Sequence, residues 1–191
     1  MKSAGKEQAA LIIIDMVKDY FAADKNYPIT PLARAIIPPI NDLIRQFRAK
    51  ELPIIFSTDA FQTDDFIFNS RMHPHAIAGS EGAEVIDDLD REAGDLWLPK
   101  PRFSAFFDTG LADILHHQGV TLCAVAGIAT NFCVLTTIMD ALCHDFKAVM
   151  LEDCSAAFSN EIHEKTLTIF RKNPLHPLFR VMSSADLVQE L

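Results

Sequence analysis

The stretch VAGIATNFCVLTTIMDAL, residues 125–142, joins two kinds of apolar pattern at a single cysteine. Its first residues are apolar without alternation, which is typical of a short strand buried on both faces. From Asn131 onward the apolar residues recur at helical spacing. Cys133 lies where the two patterns meet. The stretch therefore predicts a strand that leads directly into a helix, with a cysteine at the carboxyl end of the strand.

The rest of the chain repeats this alternation of short apolar strands and longer helical segments, which favours βαβ units and a parallel sheet. We predict one domain over residues 1–191, of class α/β, with a doubly wound six-stranded parallel sheet. A strand order of 3-2-1-4-5-6 would place the first and fourth strands side by side. The predicted strands end at Asp15, Asp59, Lys100, Ile128, Asp153 and near Ser183, and the predicted helices cover residues 31–50, about 80–92, 108–118, 131–144 and 160–171.

The acidic composition argues against several classes of partner. The 191 residues carry a formal net charge of −9 without any cluster of Lys and Arg, so we expect no nucleic-acid partner. The longest apolar run, residues 9–14, is too short to span a membrane, and the first residues lack the features of a secretory signal. Without such a signal, we expect a cytoplasmic protein whose four cysteines are reduced. These cysteines form no CxxC pair, and their spacing argues against a zinc site.

Three polar side chains follow predicted strands, and the shared edge of a parallel sheet could bring them together. They are Asp15, Lys100 and Cys133. Thr130 and Asn131 are candidate caps of the helix that carries the cysteine. The positive end of that helix and the Lys100 ammonium would favour a thiolate, while Asp15 could accept the thiol proton. The arrangement predicts nucleophilic catalysis by Cys133.

The same residues also have purely structural interpretations. A cysteine near the start of a helix is commonly a small core residue, since free cysteine is among the most buried residue types. An aspartate that ends a strand commonly belongs to a turn.

Residues 60–80, AFQTDDFIFNSRMHPHAIAGS, follow the second strand and have neither the apolar pattern of a strand nor that of a helix. Such long connections often carry function, and this one should lie at the carboxyl edge of the sheet.

Several motifs resemble those of the isochorismatase-like cysteine hydrolases, a superfamily that includes nicotinamidase and N-carbamoylsarcosine amidase. LIIIDMVKDYF is similar to the apolar strand that carries the catalytic aspartate of that family, and GDLWLPKPRFSAFFDTGL to the segment with its catalytic lysine. GIATNFCV is similar to the segment that holds the nucleophile. HPHAIAGSEGAEVIDDL and VMLEDCSAAFS also match, so the resemblance covers nearly the whole chain in order.

The resemblance implies a catalytic triad of Asp15, Lys100 and Cys133. It also implies the six-stranded sheet in the order given above. The implied reaction is attack of the Cys133 sulfur on an amide or carbamoyl carbonyl, followed by hydrolysis of a thioester. Backbone N–H groups of Ala129 and Cys133 would form the oxyanion hole, and the peptide between Ile128 and Ala129 would be cis.

The chain departs from the metal site of the nicotinamidases. Asp59 matches the aspartate of their D-x-H motif, but Phe61 replaces the histidine, and a further carboxylate falls near Phe68. His75 fits a later histidine. Zn²⁺ and Fe²⁺ normally need three or more protein ligands. Asp59 and His75 are therefore interpreted as the remnant of a metal site, and we predict no metal and no other cofactor.

The predicted function is hydrolysis of a C–N bond in a small amide, carbamoyl or ureido compound. Metal-assisted nicotinamidase activity and a non-catalytic scaffold with the same fold are the alternatives. The family resemblance also implies a homo-oligomer. Aromatic side chains near the triad in sequence, together with one histidine, are candidate walls of the substrate pocket: Tyr20, Phe61, His75, Phe103 and Phe132.

Overall fold

The computed structural model describes residues 7–191, which form one six-stranded parallel sheet with helices on both faces. The order β3-β2-β1-β4-β5-β6 confirms the predicted topology. Because the order reverses between β1 and β4, the carboxyl ends of these two strands flank the crevice where open α/β folds bind ligands. The strands are β1 (Ala9–Ile14), β2 (Ile54–Asp59), β3 (Leu96–Lys100), β4 (Leu122–Ile128), β5 (Lys147–Ala156) and β6 (Phe179–Met182).

Seven α-helices connect and flank the strands in the described part of the chain. Helices α2, α3 and α7 pack on one face of the sheet, and α4, α5 and α6 pack on the other. None of them is both long and apolar enough to cross a membrane. The helices are α1 (Lys18–Phe21), α2 (Thr30–Ala35), α3 (Ile37–Ala49), α4 (Leu111–His117), α5 (Leu135–Cys143), α6 (Asn160–Phe170) and α7 (Ser184–Glu190).

The two faces of β1 show why its sequence has no polar alternation. Leu11 and Ile13 point into the layer that contains α3, where Phe47 is fully buried. Ile12 and Ile14 point into the opposite layer, which contains α4 and α5. Burying one such side chain contributes about 1.5–3 kcal/mol. A strand covered on both sides therefore needs an apolar residue at every position.

The helix predicted over residues about 80–92 is wrong. That segment contains only a short 3₁₀ turn, Glu81–Ala83. Its backbone instead pairs with the chain that follows β1. The N–H of Lys18 donates to the carbonyl of Glu84 at 2.9 Å, and the N–H of Ile86 donates to the carbonyl of Met16 at 3.0 Å. These tertiary hydrogen bonds satisfy backbone groups that a helix would otherwise use.

A glycine near the end of β4 allows that strand to approach β1 closely beside the crevice. Gly127 has φ +102°, a conformation that residues with a side chain rarely adopt. A Cβ atom at this position would lie 2.1 Å from the carbonyl oxygen of Ile14. The residue after Ile14 is Asp15, so the close approach holds the two strand ends that carry Asp15 and Cys133 next to each other.

Replacement of Gly127 by alanine should lower the free energy of unfolding by about 4 kcal/mol or more, because backbone strain and overlap with Ile14 coincide there. Urea denaturation of the purified variant measures the change. Gly94 is the matched control, since it has an ordinary φ and no atom within 4 Å of its added Cβ. A Gly127→Ala protein as stable as Gly94→Ala would contradict this description of the strand ends.

Candidate active site

The three residues singled out from the sequence meet at the carboxyl edge of the sheet. Asp15 follows β1, Lys100 is the last residue of β3, and Cys133 lies in the turn after β4. The Nζ atom of Lys100 is 2.9 Å from Oδ2 of Asp15. The Cys133 sulfur lies within 4.8 Å of a carboxylate oxygen of Asp15. Because β3 is separated from β1 by β2, only a side chain as long as lysine can bridge this distance.

A second carboxylate, Asp59 at the end of β2, lies within the same group. Its Oδ1 atom forms an ion pair with Lys100, and its backbone N–H donates to Oδ1 of Asp15 at 2.7 Å. Lys100 is fully buried, and the two aspartates are almost fully buried. The sequence analysis treated Asp59 only as a metal-site remnant. Its position at the end of the strand between β1 and β3 was the available signal for this pairing.

The turn that carries Cys133 is a single π-helical turn, Thr130–Val134, rather than the first turn of an α-helix. The carbonyl of Ala129 accepts hydrogen bonds from the N–H groups of Phe132 and Val134, at 2.9 and 3.2 Å. These two residues flank Cys133. The peptide between Ile128 and Ala129 is cis, as the resemblance implied.

The predicted capping by Thr130 or Asn131 is wrong. No side-chain cap is present at the start of the turn, where Ala129 occupies the N-cap position. The Thr130 hydroxyl is instead 2.8 Å from Nδ1 of His163 on α6, so it ties the turn to the neighbouring helix. The sequence analysis did not identify His163, because its contact depends on how α6 packs.

A small cavity, which we call the inner cavity, opens onto Cys133. Its volume is about 50 Å³, and Asp15 and Cys133 contribute to its lining. Three of the predicted pocket residues line it as well: Tyr20, Phe103 and Phe132. The rings of Phe103 and Phe132 pack edge to face with centroids 4.7 Å apart. The sequence analysis missed Ile29, Met72 and Phe158, which lie in connections far from the triad in sequence.

The other two predicted pocket residues do not line the inner cavity. Phe61 is fully buried and packs against Phe68 and His75, with ring centroids 5.7 and 5.4 Å away. His75 lines a neighbouring cavity of about 560 Å³, which we call the outer cavity. Phe61 is thus a core residue of the residue 60–80 connection, where it packs with Ile67 and Ala76 of the same connection, and it does not face the crevice.

A model of the isochorismatase domain matches residues 9–186 of the chain. The chain belongs to the isochorismatase family. An uncharacterised isochorismatase family protein of Bacillus subtilis, YaaI, is 31% identical over 167 residues, which cover 86% of this chain and 89% of that protein.

Two solved structures of the family superpose closely on the chain. N-carbamoylsarcosine amidase from Thermoplasma acidophilum has 29% sequence identity and a TM-score of 0.79, covering 93% of this chain and 96% of that one. Pyrazinamidase of Pyrococcus horikoshii in complex with zinc has 29% identity and a TM-score of 0.79, covering 92% and 99%. These similarities confirm the superfamily and fold expected from the motifs.

The residues of this isochorismatase-family chain do not fit a zinc ion at the Asp59 and His75 positions. Nδ1 of His75 donates to the carbonyl of His73 at 2.9 Å, so Nε2 is left to accept from the Tyr20 hydroxyl, also at 2.9 Å. Both ring nitrogens are therefore engaged. Phe61 offers no ligand atom, and Asp59 is paired with Lys100.

Carboxylate and thiol groups of Asp15, Asp59 and Cys133 do lie within 4.8 Å of one another. Three such groups could coordinate a metal ion in principle. The Lys100 ammonium, however, contacts both carboxylates and already supplies the positive charge between them. This set of donors is therefore better described as an ion-paired network than as a metal centre.

Burial and charge control the ionisation of this network. Burial raises the pKa of Asp15, and the Lys100 ammonium opposes that rise only in part. Burial and the nearby Asp15 charge raise the pKa of Asp59 to about 7. Burial alone would lower the pKa of Lys100, but the two carboxylates outweigh it and raise that pKa, so the ammonium stays charged.

The expectation of a stabilised thiolate is wrong for this site. Burial raises the pKa of the Cys133 thiol well above its ordinary value, and the charges of Asp15 and Asp59 add to the rise. Lys100 opposes these effects without overcoming them. The sulfur is therefore protonated at neutral pH, and it needs a nearby base to become nucleophilic.

This raised pKa predicts how Cys133 reacts with iodoacetamide. Its alkylation, followed by mass spectrometry so that the exposed Cys143 is scored separately, should be slow at pH 7 and accelerate above pH 9. Asp59→Asn should move the profile to lower pH, because one negative charge beside the sulfur is removed. A wild-type thiol that titrates at or below its ordinary value would contradict this description.

Proposed function

We propose that this member of the isochorismatase family is a cysteine-dependent hydrolase that cleaves a C–N bond in a small amide, carbamoyl or ureido compound. The observation that carries the proposal is the buried ion pair of Asp15 and Lys100 beside Cys133, at the end of a cavity with mainly apolar walls. The relatives named as an amidase of N-carbamoylsarcosine and as a pyrazinamidase support the same class of bond.

The first half of the reaction forms a thioester. Asp15 accepts the proton of the Cys133 thiol as the sulfur attacks the carbonyl carbon. The N–H groups of Ala129 and Cys133 stabilise the negative oxygen of the tetrahedral intermediate. When the intermediate collapses, the C–N bond breaks, and Asp15 returns the proton to the departing nitrogen. Ammonia or an amine leaves.

The second half regenerates the thiol. Asp15 accepts a proton from a water molecule, whose oxygen attacks the thioester carbon. Collapse of this second intermediate breaks the C–S bond, and the proton passes from Asp15 to the sulfur. The acid is released. The raised pKa of Asp15 suits both halves, because a base is most effective when its pKa approaches the working pH.

Lys100 acts through Asp15 in this scheme. Its side chain is fully buried and does not line the inner cavity. The ammonium holds the Asp15 carboxylate in place and compensates part of its charge. Lys100 is therefore proposed as a positioning residue whose charge keeps Asp15 able to ionise in a buried site.

A screen for ammonia release tests the proposal. The panel contains nicotinamide, carbamoyl amino acids, ureido acids and biuret-like compounds, each assayed with and without a metal chelator. We expect turnover that the chelator does not affect, with an acyl adduct on Cys133 detectable by mass spectrometry after acid quenching. Turnover of nicotinamide that needs stoichiometric metal would favour metal-assisted nicotinamidase activity, and no turnover of any compound would favour the scaffold alternative.

A further inference from the structure

The outer cavity is large, and most of its accessible lining is apolar. Its volume of about 560 Å³ falls within the range of small-molecule sites. Four of its lining residues have aromatic or thioether side chains: Tyr20, Tyr27, Met72 and Phe158. The other lining residues are polar: Ser70, Arg71, His73 and His75. Nothing in the proposed chemistry uses this space.

The outer cavity adjoins the inner cavity. Tyr20, Met72 and Phe158 line both of them, so these three side chains form the boundary between the two spaces. The inner cavity, at about 50 Å³, has room for a compact group of a few atoms beside the sulfur. A larger substituent attached to the reacting carbonyl has to cross the boundary into the outer cavity.

The tyrosine of this boundary is held rigidly. The Tyr20 hydroxyl donates to Nε2 of His75 at 2.9 Å, and the His75 ring is fixed in turn by its hydrogen bond to the His73 carbonyl. The Tyr20 ring also packs edge to face on Tyr27, with centroids 5.4 Å apart. With its hydroxyl engaged, Tyr20 presents an apolar ring surface to a ligand.

The other two boundary residues have no such restraint. Phe158 lies in the connection after β5 and is 45% exposed, and Met72 lies in the residue 60–80 connection, partly buried. Methionine is unbranched and adapts its shape to a ligand. The boundary thus combines one rigid ring with two side chains that can move aside.

We propose that the substrate is a primary amide with an apolar or aromatic group on its acyl side, and that Met72 and Phe158 select for that group. The carboxamide occupies the inner cavity at Cys133, and the apolar group lies in the outer cavity. Ammonia is the leaving group: the C–S bond forms first, the C–N bond breaks when the tetrahedral intermediate collapses, and water then releases the carboxylic acid from the thioester. This inference rests on the proposed function and specifies its substrate class.

Steady-state kinetics on acetamide, butanamide, hexanamide and 3-phenylpropanamide test the inference. In the wild-type protein we expect kcat/KM to rise by about 100-fold or more from acetamide to hexanamide, since two buried methylenes at about tenfold each already give that factor. Phe158→Ala and Met72→Ala should each reduce this hexanamide-to-acetamide ratio about tenfold. The ratio, rather than either rate, reports on the outer cavity.

Phe66→Ala is the matched control. Phe66 is a more exposed phenylalanine, at 74%, and lines neither cavity, so its removal should leave the ratio unchanged. Thermal unfolding of all three variants shows whether each is folded. If a boundary alanine variant fails to fold, Phe158→Leu and Met72→Leu replace it, with a smaller change in the ratio expected.

The outcomes separate this inference from the proposed function. Equal kcat/KM for all four amides, or a ratio that Phe158→Ala and Met72→Ala do not alter, would overturn the two-cavity substrate and leave the hydrolase proposal intact. The two-cavity substrate would also be overturned if the protein turned over polar carbamoyl or ureido compounds but none of these four amides. Absence of ammonia release from every compound in both panels would instead overturn the proposed function.

Discussion

Replacement of Cys133 by alanine is expected to lower kcat/KM for ammonia release by about 10⁴-fold or more, since removal of the nucleophile of a covalent mechanism commonly has effects of this size or larger. The sulfur lies within 4.8 Å of carboxylate oxygens of Asp15 and Asp59 and lines the inner cavity. No neighbouring side chain can take over from the sulfur in forming a covalent bond to the carbonyl carbon of the substrate. Steady-state assays on the best amide from the screen measure the loss.

The control for this variant is Cys143→Ala. Cys143 ends α5 and is exposed, and it lines neither cavity, so its removal should leave kcat/KM within about twofold of wild type, as for surface substitutions that touch no functional group. Alanine at position 133 is small enough to fit the turn, and an unchanged unfolding transition would confirm that. Wild-type turnover by folded Cys133→Ala would end the proposal of a cysteine-dependent hydrolase.

Replacement of Lys100 by methionine is expected to lower the free energy of unfolding by about 3–5 kcal/mol, which is typical when one partner of a buried ion pair is removed. The variant leaves Asp15 and Asp59 buried together without a positive charge between them. Catalysis should fall as well, because Asp15 loses the group that keeps it ionised. Urea denaturation measures stability, and ammonia release measures activity.

The pH dependence of Lys100→Met follows from the sign of the carboxyl pKa shifts. In the wild-type protein the pKa of Asp59 is already raised to about 7 from the ordinary 3.8. Without Lys100, the pKa values of both buried carboxyl groups, Asp15 and Asp59, rise further. Above pH 4 the folded variant therefore keeps protons on these groups that the unfolded chain releases. Its free energy of unfolding should therefore fall as pH rises from 4 through neutrality.

Two further variants make this prediction specific. Lys100→Met combined with Asp59→Asn removes one of the two uncompensated carboxylates, so it should recover part of the stability and flatten the pH dependence. Lys147→Met is the surface control. Lys147 pairs with Glu7 in an ion pair that is partly exposed, so its loss should cost about 1 kcal/mol or less. Equal losses for the Lys100 and Lys147 variants would contradict a buried network.

The ends of the strands could be predicted from the sequence, whereas the structure of residues 80–92 could not, and the difference has a physical reason. Strands β1, β2 and β4 are buried along their whole length and end within one residue of their predicted ends, because a strand covered on both faces is marked by an apolar run. The edge strand β3 is only partly buried, and it also ends at the predicted residue, Lys100. The segment over residues 80–92 was assigned to a helix, yet its backbone pairs with residues beside β1. Such pairing depends on partners that lie far away along the chain.

The candidate site shows the same division. Motif resemblance pointed to Asp15, Lys100 and Cys133, and the geometry brings these three side chains together. The motifs did not indicate that Asp59 shares Lys100 with Asp15, or that burial keeps the Cys133 thiol protonated. These properties arise from the summed effect of desolvation and neighbouring charges, which no short stretch of sequence specifies. The homo-oligomer and the cytoplasmic location stay predictions.

For this protein, the amino-acid sequence by itself determined the six strands and their alternation with helical segments, the family, and the three polar residues at or just beyond strand ends, because each of these is encoded within a few neighbouring positions. Only the tertiary structure decided that His75 is engaged by Tyr20, that Phe61 belongs to the core, and that Met72 and Phe158 separate two cavities. The physical reason is that hydrogen-bond partners, burial and cavity walls come from segments joined only by packing.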